Sequence, residues 1–541
     1  MKGDIMNFNA LYNPHASARM SVYGGKGMVA TSHPLAAQAG LDIIKKGGNA
    51  FDAAIATAAC LTVVEPTSNG IGGDVFALLW VDGKLHGLNG SGKSPESISI
   101  DTVKAKGHDT MPKFGFEPVT VPGAPAAWAE LNKRFGKLTL AECLAPAVEY
   151  ARYGHPVAAI VSKYWQGGLR AYTTHLKGKG DYFEHWFDTF AQNGTAPKAG
   201  DIWKSQGHAN TLEEIGKTNG ESFYRGGLAK EISDFCAKHG GWLTANDLAA
   251  HQTLWVEPIS VNYKGYDVWQ IPPNGQGLVG LIAMNILSGF EDTSCEITKY
   301  HRSFEAMKLA FAAGKAAITD PDHMTITVDE LLSSQYIKKL RSQITDTAAQ
   351  PAPVLPDSGG TVYLAAADGD GNMISFIQSN YMGFGSGLVV PNTGIALQNR
   401  GADFSLDPNH VNALKGGKRT YHTIIPSFLT KGNKPIGAFG VMGGYMQPQG
   451  HLQVIQNTID LGLNPQQALD APRWQWIADK RFEVEHRFPR HISQALAAKG
   501  HQIHMPIDSG SFGRGQIIWQ LENGTLVGGT ESRADGHISA F

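Results

Sequence analysis

The chain has 541 residues, 42% of them hydrophobic and 17% charged, with a net charge of −2 and a pI near 6.9. That length exceeds one ordinary domain core and points to two or three lobes, or to one large core with insertions. The charge balance excludes a strongly basic nucleic-acid or membrane-surface binder, and the composition excludes long disorder.

The N-terminal MKGDIMNFNALYNPHASARM lacks a basic segment followed by an apolar stretch, so no signal peptide is expected and the protein reads as soluble and cytoplasmic. From Thr31 to Leu61 the apolar spacing is helical, broken at Gly47-Gly48, after which Asn49 can cap a second and very apolar helix. Its apolar run, Ala53 to Val64, is too short to span a bilayer. The Gly-rich EPTSNGIGGD follows, then VFALLWVDGKLHGL, a hairpin turning at Asp82-Gly83. From about 125 to 345 helices dominate, among them AAWAELNKRFG and HRSFEAMKLAFAAGKAA.

Around Thr345 the character changes to a Pro- and Ala-rich tail, TDTAAQPAPVLPDSGG. TVYLAAADGDGNMISFIQSNY then reads as two strands joined by an Asp-Gly turn. LVVPNTGIALQN, TIIPSFLT and PIGAFGVMGG read as further strands, and HLQVIQNTIDLGL as an amphipathic helix. Cys60, Cys143, Cys236 and Cys295 stand singly, which favours buried thiols over a zinc or redox motif.

Two chemical patterns compete. GLNGSGKS, Gly87 to Ser94, satisfies the phosphate-loop spacing, which needs a buried strand before it and a helix after it. KLHGLN reads as a poor buried strand and PESISID does not continue as a helix, so a polar turn is preferred over a nucleotide site. Asp368 to Asn372 lacks the Gly and Glu of a calcium loop, Gly383, Gly385 and Gly387 miss the dinucleotide spacing, and no histidines fall in HExxH order. Gly359-Gly360-Thr361 is the second pattern. A Thr that begins a strand after a flexible tail can attack the preceding carbonyl, and Gly360 permits the strained geometry. The freed α-amine, with a pKa near ~8, can then serve as base for its own hydroxyl.

Along nearly its whole length the chain resembles the gamma-glutamyltranspeptidase family. The blocks are MVATSHPLAAQAGLDIIKKGGNAFDAAIATAACLTVVEPTSNGIGGDVF, VTVPGAPAAW, FYRGGLA, IPPNGQG, TVYLAAADGDGN, FGSG, TGIALQNRGADFS, VMGG and LNPQQALDAPRW, in the family's order. The resemblance implies an α+β fold, a four-layer αββα sandwich of the N-terminal-nucleophile type, built by a large segment 1–360 (tail about 345–360) and a small segment 361–541. It implies cleavage between Gly360 and Thr361, with Thr361 as nucleophile and Ser379 beside it. Gly443 and Gly444 then form the oxyanion hole, and Asp403 holds a substrate α-amino group. No metal or organic cofactor is implied; a homo-oligomer is possible.

Several positions depart from the family. Val362 replaces a second Thr, Ser91 falls where the family keeps an Arg for the α-carboxylate, and Arg400 stands in place of Gln. Tyr381 replaces Asn, and His422-Thr423 replaces a Ser pair. Lys93 or Arg400 is thus expected to anchor the carboxylate, with Tyr381, His422 and Thr423 as further substrate contacts. Between Asp403 and His422 the chain is shorter than in typical members, so a reduced lid, easy access of water and hydrolysis in preference to transfer are expected. The expected reaction is hydrolysis of gamma-glutamyl or glutaryl-like amides. A catalytically inert relative acting as a binding protein stays open beside it.

Overall fold

The structure, a computed structural model, describes residues 19–350 and 360–541. The N-terminal segment read for a signal peptide and most of the 345–360 tail lie outside the described residues.

Two large sheets carry the molecule. Their strands are β1 (Val22–Gly24), β2 (Gly27–Thr31), β3 (Asp74–Val81), β4 (Lys84–Gly90), β5 (Leu254–Val256), β6 (Ile259–Tyr263) and β7 (Tyr266–Gln270), all before Gly360. After them come β8 (Gly360–Asp368), β9 (Met373–Tyr381), β10 (Ser427–Lys431), β11 (Lys434–Met442), β12 (Arg514–Gln520), β13 (Leu526–Thr530) and β14 (His537–Ala540). One sheet runs β14-β2-β8-β9-β3-β4-β5 and the other β1-β13-β12-β11-β10-β7-β6. Each sheet therefore interleaves strands from both sides of the Gly360–Thr361 bond.

β8 shows why the layers stack. Strand alternation sends Tyr363, Ala365 and Ala367 into one core with Phe428, Ala438 and Ile518 of the other sheet. Val362, Leu364 and Ala366 point the opposite way, into a core with helix α2 (Ala50–Val64), which follows α1 (Pro34–Lys45). A strand buried on both faces reads as an unbroken apolar run, as TVYLAAA does. The outer face of the second sheet packs under α4 (Gly277–Ser288), α5 (Glu296–Ala317) and α6 (Met446–Ile455); α3 (Ala159–Leu176) lies on the α2 side. The result is the αββα sandwich.

All fifteen residues of α2 are buried. Asn49 and Asp52 close its start as a capping box, with the Asn49 side chain also donating to the Phe135 carbonyl at 2.6 Å. Both Asp-Gly hairpins form, β3–β4 and β8–β9. The calcium-like run is the second turn, where Asp368 Oδ1 accepts the N–H groups of Asp370 and Asn372 at 3.0 and 3.1 Å.

Four local expectations are corrected. KLHGLN is a real, largely buried strand (β4), but no helix follows until Ile100–Ala105, so the residues Gly87 to Ser94 cannot wrap a phosphate at a helix start. LVVPNTGIALQN is a largely buried loop with only two isolated bridges, Val389 to Ala396 and Leu397 to Gly72, bent by Gly387 and Gly394 at φ +81° and +72°. In TIIPSFLT only the end is a strand, because β10 begins at Ser427. HLQVIQNTIDLGL is not one amphipathic helix: every residue of α6 is buried, and a π-helical turn, Gln456–Asp460, follows. Of the four cysteines, three are buried and Cys295 is exposed.

Candidate active site

The open ends of β8 and β9 meet above the inter-sheet core. Gly360 pairs with Tyr381 and Val362 with Gln378, and the register shift between them leaves Thr361 opposite Ser379. Thr361, fully buried, donates its hydroxyl to Ser379 Oγ at 3.0 Å. Ser379 in turn donates to the Gly360 carbonyl oxygen at 2.9 Å. The Tyr381 N–H donates to Ser379 Oγ at 2.8 Å, from a residue held at φ +76°. Such a backbone costs about 1–3 kcal/mol, which the packed hairpin must offset.

Gly360 leaves little room for a side chain. A Cβ there would lie 3.2 Å from the Gly383 nitrogen and 3.3 Å from Ser68 Cα and the Thr67 carbonyl. Gly443 and Gly444 link the end of β11 to the start of α6 at φ +135° and +57°, a conformation suited to glycine. Among the described residues neither N–H has an acceptor. Two unspent donors beside a helix N-terminus are suited to developing negative charge.

Arg400, on a short turn to Asp403, is wholly buried. Its Nη1 donates to Thr423 Oγ1 at 2.7 Å and its Nη2 reaches Ser379 Oγ at 3.4 Å, while Nε has no hydrogen-bond partner. The guanidinium lies 4.2 Å from the Tyr381 ring and 3.9 Å from Asp403 Oδ2. Asp403 Oδ1 accepts two hydroxyls, Tyr381 at 2.9 Å and Tyr445 at 2.7 Å. Tyr445 accepts from the Lys315 ammonium, which also sits over the rings of Tyr421 and Tyr445 at 4.0 and 4.1 Å. Desolvation lowers Lys315 to about 8, with Asp403 pulling the other way.

Thr361, Ser379, Tyr381, Arg400, Asp403 and Thr423 thus form one cluster. His422 turns away: its Nδ1 accepts from the Ile424 N–H, so its Nε2 donates to Asp74 Oδ2 at 3.0 Å. Burial holds that imidazole neutral, and burial raises Asp74 to about 7 despite the nearby Arg400. The pair ties β3 to the site loop. Lys93 is exposed, and its carbonyl, accepting from Val121 N at 2.9 Å, is what the fold uses. Val362 packs towards the helices, so a hydroxyl there would not face Thr361.

Sequence reasoning missed Lys315, Tyr445 and Gln276. The Gln276 side chain donates to the carbonyls of Thr423 and Gly444 at 2.7 and 2.9 Å and so locks two site loops together. Tyr445 had a signal, its place directly after Gly443-Gly444; Lys315 had none.

A cleft of about 680 Å³ opens beside the cluster, with Gly360 and Gly443 on its floor. Its walls combine the rings of Phe114, Tyr164, Tyr172 and Phe384 with the charged Glu483, Asp508 and Arg514. Elsewhere, His301, Glu305 and His501 are the one group among the described residues close enough to share a metal ion. The Lys308 ammonium already lies 2.6 Å from Glu305, and His301 bonds to His501 at 2.9 Å and to the Thr345 carbonyl at 2.7 Å. This group fits a polar clamp on the tail better than a cation site. No helix among the described residues is long and apolar enough to cross a membrane.

A gamma-glutamyltranspeptidase family model matches residues 36–541. The glutathione hydrolase-like YwrD proenzyme of Bacillus subtilis is 39% identical over 528 residues, covering 95% of this chain and 98% of the relative. The oxamate amidohydrolase proenzyme of Klebsiella pneumoniae is 33% identical, covering 95% and 98%. The crystal structure of a cephalosporin acylase from Bacillus halodurans superposes with a TM-score of 0.96 at 59% identity, over 99% of each chain.

Proposed function

The chain belongs to the gamma-glutamyltranspeptidase family, and from that premise we propose that it is a self-processing amidohydrolase acting through Thr361. The observation that carries this reading is the buried relay from Thr361 Oγ1 through Ser379 Oγ to the Gly360 carbonyl. In the precursor the Thr361 oxygen attacks the Gly360 carbonyl carbon while Ser379 donates to the carbonyl oxygen. The C–N bond breaks, giving an ester on Thr361 and a free α-amine, and water then releases Gly360 as a carboxylate. In the mature form that amine takes the hydroxyl proton as Thr361 attacks a substrate amide. The Gly443 and Gly444 N–H groups receive the oxyanion, and the departing nitrogen takes the proton. Water completes the cycle.

The substrates on this reading are amides of small acyl groups ending in a carboxylate, gamma-glutamyl or glutaryl-like. Arg400 is the anchor, since its spare donors suit a carboxylate and lie on the Ser379 side of the nucleophile. The acyl part stays on the enzyme while the amine leaves first, so the amine belongs on the solvent side, in the cleft beside the cluster. The same cleft admits water, which supports hydrolysis over transfer. The large and small fragments remain each other's partner.

Intact mass of the purified protein, beside Thr361→Ala, tests the reading. The expected result is two fragments, the smaller starting at Thr361, and an uncut variant. A single full-length mass for both proteins would move the inert-relative reading to the front.

A further inference from the structure

Asp74 opens β3 directly opposite Ser379, so it is the next residue across the sheet from the Thr361–Ser379 pair. Its carboxylate accepts from four donors. Oδ1 takes the N–H groups of Gly92 and Gly123 at 3.3 and 3.2 Å and the Gln398 side-chain amide at 2.8 Å. Oδ2 takes His422 Nε2 at 3.0 Å, a tautomer fixed by the Ile424 N–H on Nδ1. Only an ionised carboxylate accepts on both oxygens; an amide or a protonated acid would turn a donor towards one of these donors. Burial disfavours that charge, and Arg400 is the cation that does most to offset the penalty.

Two arms of this hub lead to Arg400. Gln398 stands two residues before it, and His422 directly precedes Thr423, whose Oγ1 accepts from Arg400 Nη1 at 2.7 Å. The His422 backbone adds a further tie, donating to the Asn274 carbonyl and accepting from the Gln276 N–H, both at 2.9 Å. Asp74, Gln398 and His422 are all 0% exposed, so the hub works from behind the site. We propose that Asp74 and His422 are positioning residues for the anchor: one carboxylate, through His422 and Gln398, sets Thr423 and the Arg400 guanidinium relative to Thr361. The inference rests on the reading of Arg400 as the anchor of the acyl carboxylate. A shift of about 1 Å in a group that positions substrate can cost about 10²-fold. Damage to the hub is therefore felt by the acyl carboxylate and spares donors that lack one.

The test is kcat and KM for glutaryl-p-nitroanilide and butyryl-p-nitroanilide, which differ in the terminal carboxylate. The proteins are wild type, Arg400→Ala, Asp74→Asn, His422→Ala and His422→Gln, each taken after self-cleavage. Glutamine keeps a donor where His422 Nε2 stands. Asp74→Asn and His422→Ala are expected to raise KM for the glutaryl donor about tenfold or more. Its kcat, and both constants for the butyryl donor, are expected to stay within about twofold. His422→Gln is expected to recover most of the loss, and Arg400→Ala to erase the advantage of the glutaryl donor. If Asp74→Asn does not fold, the two His422 variants decide alone. Equal losses on both donors, which a purely structural role would give, overturn the inference and leave the anchor reading intact; so do unchanged constants for the glutaryl donor. A glutaryl preference that survives in Arg400→Ala overturns the anchor reading, and the inference with it.

Discussion

At the scale of single residues, Ser379 carries the heaviest load. It accepts from the Thr361 hydroxyl and donates to the Gly360 carbonyl, the bond that Thr361 attacks on the proposed reading. Removing one preorganised donor to a developing oxyanion commonly lowers rates by about 10²–10³-fold. Ser379→Ala is therefore expected to slow self-cleavage by that order, with Ser379→Thr restoring most of it; a time course of fragment formation on a denaturing gel measures this. Cleavage at the wild-type rate in the alanine variant would remove Ser379 from the chemistry. How much of this was legible in the sequence differs residue by residue. Gly360 and Thr361 have a chemical rationale on their own, and the family resemblance brings in Ser379, Arg400 and Asp403. Lys315 does not announce itself: in AAGKAA it reads as a solvated lysine, and its contact with Tyr445 spans 130 positions of the chain. A long-range polar contact of that kind leaves no local pattern.

At the scale of elements, the hairpins and α2 were legible because their signals are local. An Asp-Gly turn fixes a hairpin over a few residues, and Asn49 with Asp52 marks a helix start. The loop 388–399 was misread for the opposite reason. Its apolar runs, Leu388 to Val390 and Ile395 to Leu397, are buried by tertiary packing, while positive-φ Gly387 and Gly394 limit the pairing to isolated bridges. α6 was misread because a helix enclosed on all sides needs no polar face. The cap of α2 bears on function, since this helix backs β8, which carries Thr361. Asn49→Ala removes the cap bonds and the link to Phe135, and is expected to cost about 1–2 kcal/mol. Thermal unfolding of the Thr361→Ala precursor with and without the change measures it; an unchanged Tm would show that packing alone fixes the helix start.

At the scale of the whole molecule, the two segments are not two domains. Each seven-stranded sheet draws on both, and β8 sits in the interior of its sheet with β2 on one side and β9 on the other. A break at Gly360–Thr361 removes only the first residue of β8, and the pairing of residues 362–368 with β9 and β2 lies wholly beyond it. The two fragments are accordingly expected to co-elute as one species on size exclusion after cleavage, and to separate only in denaturant. Early separation in plain buffer would contradict the interleaved sheets.

That interleaving also gives the scissile bond a meaning in time. Thr361 meets Ser379 only once the β8–β9 register is set, and Ser379 meets Arg400 only once the loop beyond it has folded back. A half-assembled chain has the bond but not the geometry to break it. On the proposed reading a cut at Gly360–Thr361 is thus a certificate of assembly written into the covalent structure.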